Sequence, residues 1–417
     1  MHVSTDPGSA LGIPQHFNSY SLSMRKLRTT AIAVAGLMVM TLGTVPTATA
    51  DDTAKKLNAA DYKLVRTAND ADYNKLVGAL PNADVKAVLD DSNREAVRIP
   101  KEDGQHITPN FAAGFLWKEG DDNTTEWRPQ GITTSSDALD EGVWQDRKVV
   151  LVSWYGLDGS EKKGARISFI DRTDPLKPVY RHVLLVRATT KNGHPDFEST
   201  NPNHAGGLAW YGNLLYVAST DNIEVYDLND ILKVSTANDS AIGRAANGDY
   251  HAYGYQYVIP TKFSYNRATP SQNIRFSAIS LDRSTSPDSM LVTEWDPAGD
   301  GTRLFRWDVN YETRELSDVT ADWAYQVNIK SMQGAAAIKG GDGPDKSWYY
   351  ISRSTGDDSR GDLIVWQPGK LANIYQGEWP IGPEDMAYRP STDEMWTVAE
   401  YANNRYVMSV TADRFHP

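Results

Sequence analysis

Three glutamates occupy repeating contexts in the C-terminal half of this 417-residue chain. Glu294 and Glu400 each end an apolar run, "MLVTEWD" and "MWTVAEY", and Glu384 opens another at "PEDM". Carboxyls gathered in one cleft push each other's pKa values apart, so that one keeps a proton while another stays ionised. Acid–base cleavage of a glycosidic bond needs that pairing. Corresponding positions elsewhere supply Gln130, His204, Gln333, Arg353 and Asp385, with Trp154, Trp295 and Tyr401 as faces for ring stacking. These eight are the expected binding residues, and the three glutamates are catalytic if the protein is a glycosidase. A ring of solvated polar side chains around a channel would look the same and needs no activity.

The elements that must hold these residues come from an internal repeat. Five short strands begin at "PQGI" (Pro129), "AGGL" (Ala205), "FSAI" (Phe276), "MQGA" (Met332) and "PEDM" (Pro383). Each is followed by a second apolar strand and then a third, and four of the units add an outer one. Four antiparallel strands repeated around an axis are the blades of a β-propeller. The fifth unit lacks its outer strand, and "FAAGFLW" (Phe111 to Trp117) stands ahead of the first unit without a partner. The expected fold is all-β: a five-bladed β-propeller over residues 101–417, closed by that N-terminal strand, which leaves no open edge. Residues 51–100 read as a short α-helical segment, with Leu57, Tyr62, Leu64 and Val65 on one side and Asn69, Asp70, Asp72, Asn82 and Asp84 as caps. It is expected to pack on the body or to be cleaved as a pro-segment.

Residues 1–50 are expected to lie outside the fold. Arg25, Lys26 and Arg28 precede an apolar run too short for a bilayer, and "ATA" precedes Asp51, the pattern of a secretory signal peptide starting at Met24. A secreted location follows, with no membrane span. The chain has no cysteine, so its core must hold it together. A net charge of −12 makes nucleic acid a poor partner. The stretch "KNGHPDFESTNPNH" carries His194, Asp196, Glu198 and His204, but without tight ligand spacing it reads as a polar surface loop. No metal or other cofactor is expected, and a monomer is.

The leader, the absence of cysteine and the "HAGGLAWYGNLLYVAST…IEVYDL" style resemble secreted β-propeller proteins of Streptomyces and its relatives, of the dispase autolysis-inducing type. The resemblance covers the layout from about Phe111 onward. It implies a protein that works by binding, with an extracellular metalloprotease and a transglutaminase as partners. Exposed glutamines would then be cross-linking positions, and Gln105 in the polar stretch "KEDGQHITPN" is the one expected to be flexible. A second similarity is to five-bladed glycosidases of the arabinanase and levansucrase type. These place an Asp base on the first innermost strand, where this chain has Gln130.

Overall fold

The computed structural model describes residues 54–157, 159–200 and 204–417. The expected leader, residues 1–50, lies outside them. Strands dominate, and no helix among the described residues is long and apolar enough to cross a membrane.

The repeat becomes antiparallel meanders. The first runs through Trp127–Thr134, Val149–Gly156, Ala165–Asp171 and Val179–Lys191. The second comprises Gly207–Tyr211, Leu214–Ala218, Asn222–Asp227 and Tyr257–Arg267. The third comprises Ala278–Asp282, Ser289–Thr293, Arg303–Asp308 and Trp323–Gln326. The fourth comprises Met332–Ile338, Trp348–Arg353, Asp362–Trp366 and Asn373–Tyr375. The last contains Pro383–Arg389, Glu394–Ala399 and Tyr406–Thr411. Phe111–Leu116 pairs antiparallel with Tyr406–Thr411, placing Phe115 opposite Val407.

Each innermost strand packs beside the next, and that of the last meander lies beside that of the first. Side chains alternate along every strand and so feed apolar layers on both faces of each sheet. One such layer joins Trp117, Trp154, Tyr180, Trp396 and Val407 across the first and last meanders. Another joins the second and third through Tyr216, Phe276, Met290 and Trp307. This is β-propeller architecture. The first two meanders also merge into one sheet, because their long fourth strands pair in parallel, Leu184 opposite Val258.

Residues 54–98 differ from the expected helical segment. Asp70–Ala79 and Val85–Asp90 are helical, the second capped by Asp84, whose Oδ1 accepts from Ala87 N at 2.7 Å. Around them the chain forms a belt of short strands. Lys55–Lys56 pairs with Trp323–Gln326, Leu64–Ala68 with Tyr257–Arg267, Arg94–Glu95 with Val179–Lys191, and Val97–Arg98 with Phe111–Leu116. Leu64 is buried while Val65 is 48 % exposed, as a strand requires and a shared helical face does not. The unpaired N–H and C=O groups of the outer strands outweigh the weak local preference for helix.

Part of the surface loop expected after Lys191 is a strand instead. His194–Ser199 folds back antiparallel on Val179–Lys191, and Asp196 is buried, accepting from Arg244 N at 2.7 Å. Its side chains do not converge as ligands: among the described residues no group of three or more His, Asp or Glu could hold a metal ion.

Candidate functional site

Three of the five innermost strands carry a β-bulge at the residues that open the repeat. Register shifts fall between Pro129 and Ile132, Met332 and Ala335, and Pro383 and Met386. A bulge puts extra residues on one strand and re-aims their side chains. Here it turns Gln130, Gln333 and Glu384 into a cavity of about 330 Å³ at one mouth of the central channel. His204, Trp295 and Glu400 complete the sequence-predicted part of its wall, together with Ser277, the polar residue in the repeat opening "FSAI".

Four further lining residues were not expected: Arg128, Tyr155, Thr220 and Arg275. Strand alternation could have found three of them. Arg128 lies two residues before Gln130 and Arg275 two before Ser277, so each shares a face with a residue at the mouth, and Tyr155, next to Trp154, faces the opposite way to it. Parity also corrects Trp154, which points to the opposite face. It is fully buried against Trp117, and its Nε1 donates to Ser168 Oγ at 2.8 Å.

Inside the cavity, Gln130 Nε2 donates to Glu400 Oε2 at 3.3 Å, and Arg128 Nη1 lies 3.4 Å from the same oxygen. The Glu384 side chain is in hydrogen-bond contact with that of Glu400. Burial, followed by the charge of Glu400, raises the Glu384 pKa well above the usual carboxylate range. Like charges this close oppose each other, and Arg128 beside Glu400 offsets part of that repulsion. The His204 ring stacks on Tyr155 at 4.4 Å, and the residue as a whole is exposed. The surrounding protein, then Arg128 and Arg275, push its pKa down to about 4. Arg275 Nη1 donates to the Trp295 carbonyl at 3.2 Å.

Five further expected site residues lie elsewhere or act otherwise. Glu294 is buried outside this cavity and held by Arg303, whose Nε and Nη2 each reach a carboxylate oxygen at 2.6 Å. A bidentate arginine pair occupies the lone pairs that acid–base work would use. Arg353 pairs with Asp362 on the neighbouring strand. Asp385 is turned beneath the mouth by the same bulge that exposes Glu384 to it. Its Oδ2 accepts from Ile132 N at 3.1 Å and Leu208 N at 2.9 Å, which ties the last innermost strand to the first two. Tyr401 flanks the mouth with its ring 6.0 Å from the Arg128 guanidinium. Gln105, expected in a flexible stretch, is exposed on the short helix Lys101–Ile107.

A second polar centre lies at the seam between the first and last meanders. Trp154 donates to Ser168, Ser168 Oγ meets His182 Nδ1 at 2.9 Å, and His182 Nε2 meets Asp121 Oδ1 at 3.1 Å. With Ser168 donating to Nδ1, the imidazole carries its proton on Nε2. Burial pushes the His182 pKa down to about 3. The sign of the pH effect follows. The folded state refuses a proton that the unfolded chain takes up near pH 6.5, so this contribution is complete above that pH. It is lost as pH falls from about 6.5 to about 3, on the order of 4–5 kcal/mol in all. Urea titrations between pH 7 and 4 should show this fall in wild type and a shallower one in His182→Gln. Equal slopes would place the acid sensitivity elsewhere.

No family model matches the chain, and no curated protein matches it. Among solved structures, the β-propeller domain of Cps50 (Swd1) from Myceliophteria thermophila is similar at 10 % identity and TM-score 0.32, covering 69 % of this chain and 99 % of that one. A protein described as a putative glycoside hydrolase from Parabacteroides distasonis is similar at 10 % identity and TM-score 0.33, covering 80 % and 96 %. Drosophila Semaphorin 1b, extracellular domains 1–2, is similar at 10 % identity and TM-score 0.23, covering 86 % of each chain. At these scores the likenesses carry no argument, and the architecture rests on the strand pairing.

Proposed function

We propose that this is a secreted, monomeric β-propeller of five blades, closed by Phe111–Leu116, that works by binding other proteins. The pairing of that strand with Tyr406–Thr411 and the contact between the last and first innermost strands support the blade count and closure. The observation that carries the binding reading is the contact between Glu384 and Glu400. Two carboxyls in side-chain contact leave no room between them for a glycosidic bond, which takes a spacing of about 5–5.5 Å for retention or about 6.5–9.5 Å for inversion. The third candidate, Glu294, is occupied by Arg303. What remains is a rigid polar mouth with arginine, amide and aromatic walls.

Partners come from the resemblance alone: a thermolysin-like extracellular metalloprotease, whose self-degradation the protein would promote, and a transglutaminase acting on the exposed Gln105. Incubation with such a protease is expected to shorten the lifetime of intact protease, with a complex visible on a sizing column. An unchanged lifetime together with no complex overturns this reading.

The second reading is glycoside hydrolysis at the same mouth. It needs Glu384 and Glu400 to separate around a substrate, and one observation favours it: burial raises the pKa of Glu384, as a general acid requires. A screen of plant and bacterial cell-wall polysaccharides for reducing-end release decides it. If an enzyme is present, Glu384→Gln and Glu400→Gln should each lower the rate roughly 10²–10⁴-fold. No release by the wild type removes the reading.

A further inference from the structure

A second cavity, of about 440 Å³, lies away from the channel mouth. The belt and the helix Lys101–Ile107 form one wall, and the connections around the fourth and last meanders form the other. Val97, Ile99, Ile107, Ile381 and Tyr406 give it an apolar lining. Ile99 is buried and belongs to the core layer of Phe111, Met386 and Met408, so the cavity is continuous with that core. Val97 is 58 % exposed, a large apolar side chain left uncovered beside the opening.

The charged groups on this cavity are unequal. Arg98 and Arg360 line it against one carboxylate, Asp103. Arg360 donates to the backbone carbonyl of His106, which leaves further guanidinium N–H groups available. Arg98 forms no ion pair among the described residues. The nearby Glu378 is engaged by Asn110 Nδ2 at 2.8 Å and does not line the cavity. The chain as a whole is strongly acidic, so a local excess of positive charge over apolar walls runs against its general field.

We infer that this cavity binds an amphiphilic monoanion, a medium-chain carboxylate whose apolar tail lies on Val97, Ile99 and Tyr406 and whose head group meets Arg98 and Arg360. The volume falls in the range of small-molecule sites, and the lining has their usual composition of apolar walls with a few polar groups. An arginine fork matches a carboxylate through two N–H groups and favours it over a neutral head of the same length. The site is independent of the channel mouth and of the function proposed for it.

The test is calorimetric titration of the whole protein with three ligands of equal chain length: octanoate, 1-octanol and octylammonium. Octanoate is expected to bind at least about tenfold tighter than octanol, with octylammonium weakest. Arg98 is exposed, so Arg98→Glu should leave the fold intact while weakening octanoate about tenfold or more. Arg98→Lys, which keeps the charge but loses the fork, should fall between wild type and Arg98→Glu. No binding of octanoate, equal binding of all three ligands, or full affinity in Arg98→Glu would each overturn the inference.

Discussion

Expression of the chain from residue 118 onward is expected to yield no soluble monomer. That truncation removes Phe111–Leu116 and exposes the edge of Tyr406–Thr411 along its length. An unpaired, apolar strand edge is a template for pairing with other chains. It also removes Phe111, Phe115 and Trp117, each at most 3 % exposed, from two core layers. Truncating one buried aromatic costs about 3–5 kcal/mol, and a domain has roughly 5–15 kcal/mol to lose. Trp117→Ala alone should therefore remain folded with a clearly lower urea midpoint, while the truncated chain aggregates. Size-exclusion chromatography with light scattering checks this. A monodisperse monomer from residue 118, melting near the wild-type temperature, would show that the strand Phe111–Leu116 is dispensable.

Asp121→Ala is expected to cost about 3–5 kcal/mol, the loss that follows when one partner of a buried charge cluster is removed. Asp121 is 8 % exposed and sits just after the strand Phe111–Leu116. Its carboxylate meets Arg166 at 3.2 Å, Arg94 of the belt at 3.0 Å, Tyr180 Oη at 2.7 Å and His182. Its backbone carbonyl accepts from Arg405 Nη1 at 2.9 Å, and Arg405 Nε donates to the Glu400 carbonyl at 2.9 Å. One residue thus joins belt, first meander and last meander, and its backbone reaches the chain beneath the mouth. Burial opposes ionisation of Asp121, but the hydrogen bond from His182 and the charge of Arg166 hold its pKa far below the usual range. Alanine leaves Arg166, itself only 4 % exposed, without that partner. Asp121→Asn keeps an acceptor for Tyr180 and should lose less. The check is the urea midpoint at pH 7, with the m-value confirming that the same surface unfolds. A loss below about 1 kcal/mol in the alanine variant would mean that the arginines find other partners at little cost.

The strand repeat and the polar opening of each innermost strand were legible in the sequence, because they depend on local patterns. Period-two alternation, turn residues and a four-residue opening such as "PQGI" or "PEDM" recur from unit to unit whatever the rest of the chain does. Those patterns brought Gln130, His204, Gln333, Glu384 and Glu400 to one mouth, together with Trp295. They also pointed to Phe111–Leu116 as a strand in need of a partner. Tertiary structure decided the rest. A bulge shifts parity by one residue, so Glu384 and Asp385, adjacent in sequence, serve the mouth and the brace beneath it. The neighbouring sheet determines which face of a strand is the mouth, and this put Tyr155 in the cavity and Trp154 in the core. Charge pairing is not local either: Arg303 captured Glu294 across two strands, and Arg353 went to Asp362. The belt was misread as helix because its two-to-five-residue strands have no pattern of their own. They form where distant outer strands offer an unpaired backbone edge, and that edge exists only after the meanders have folded.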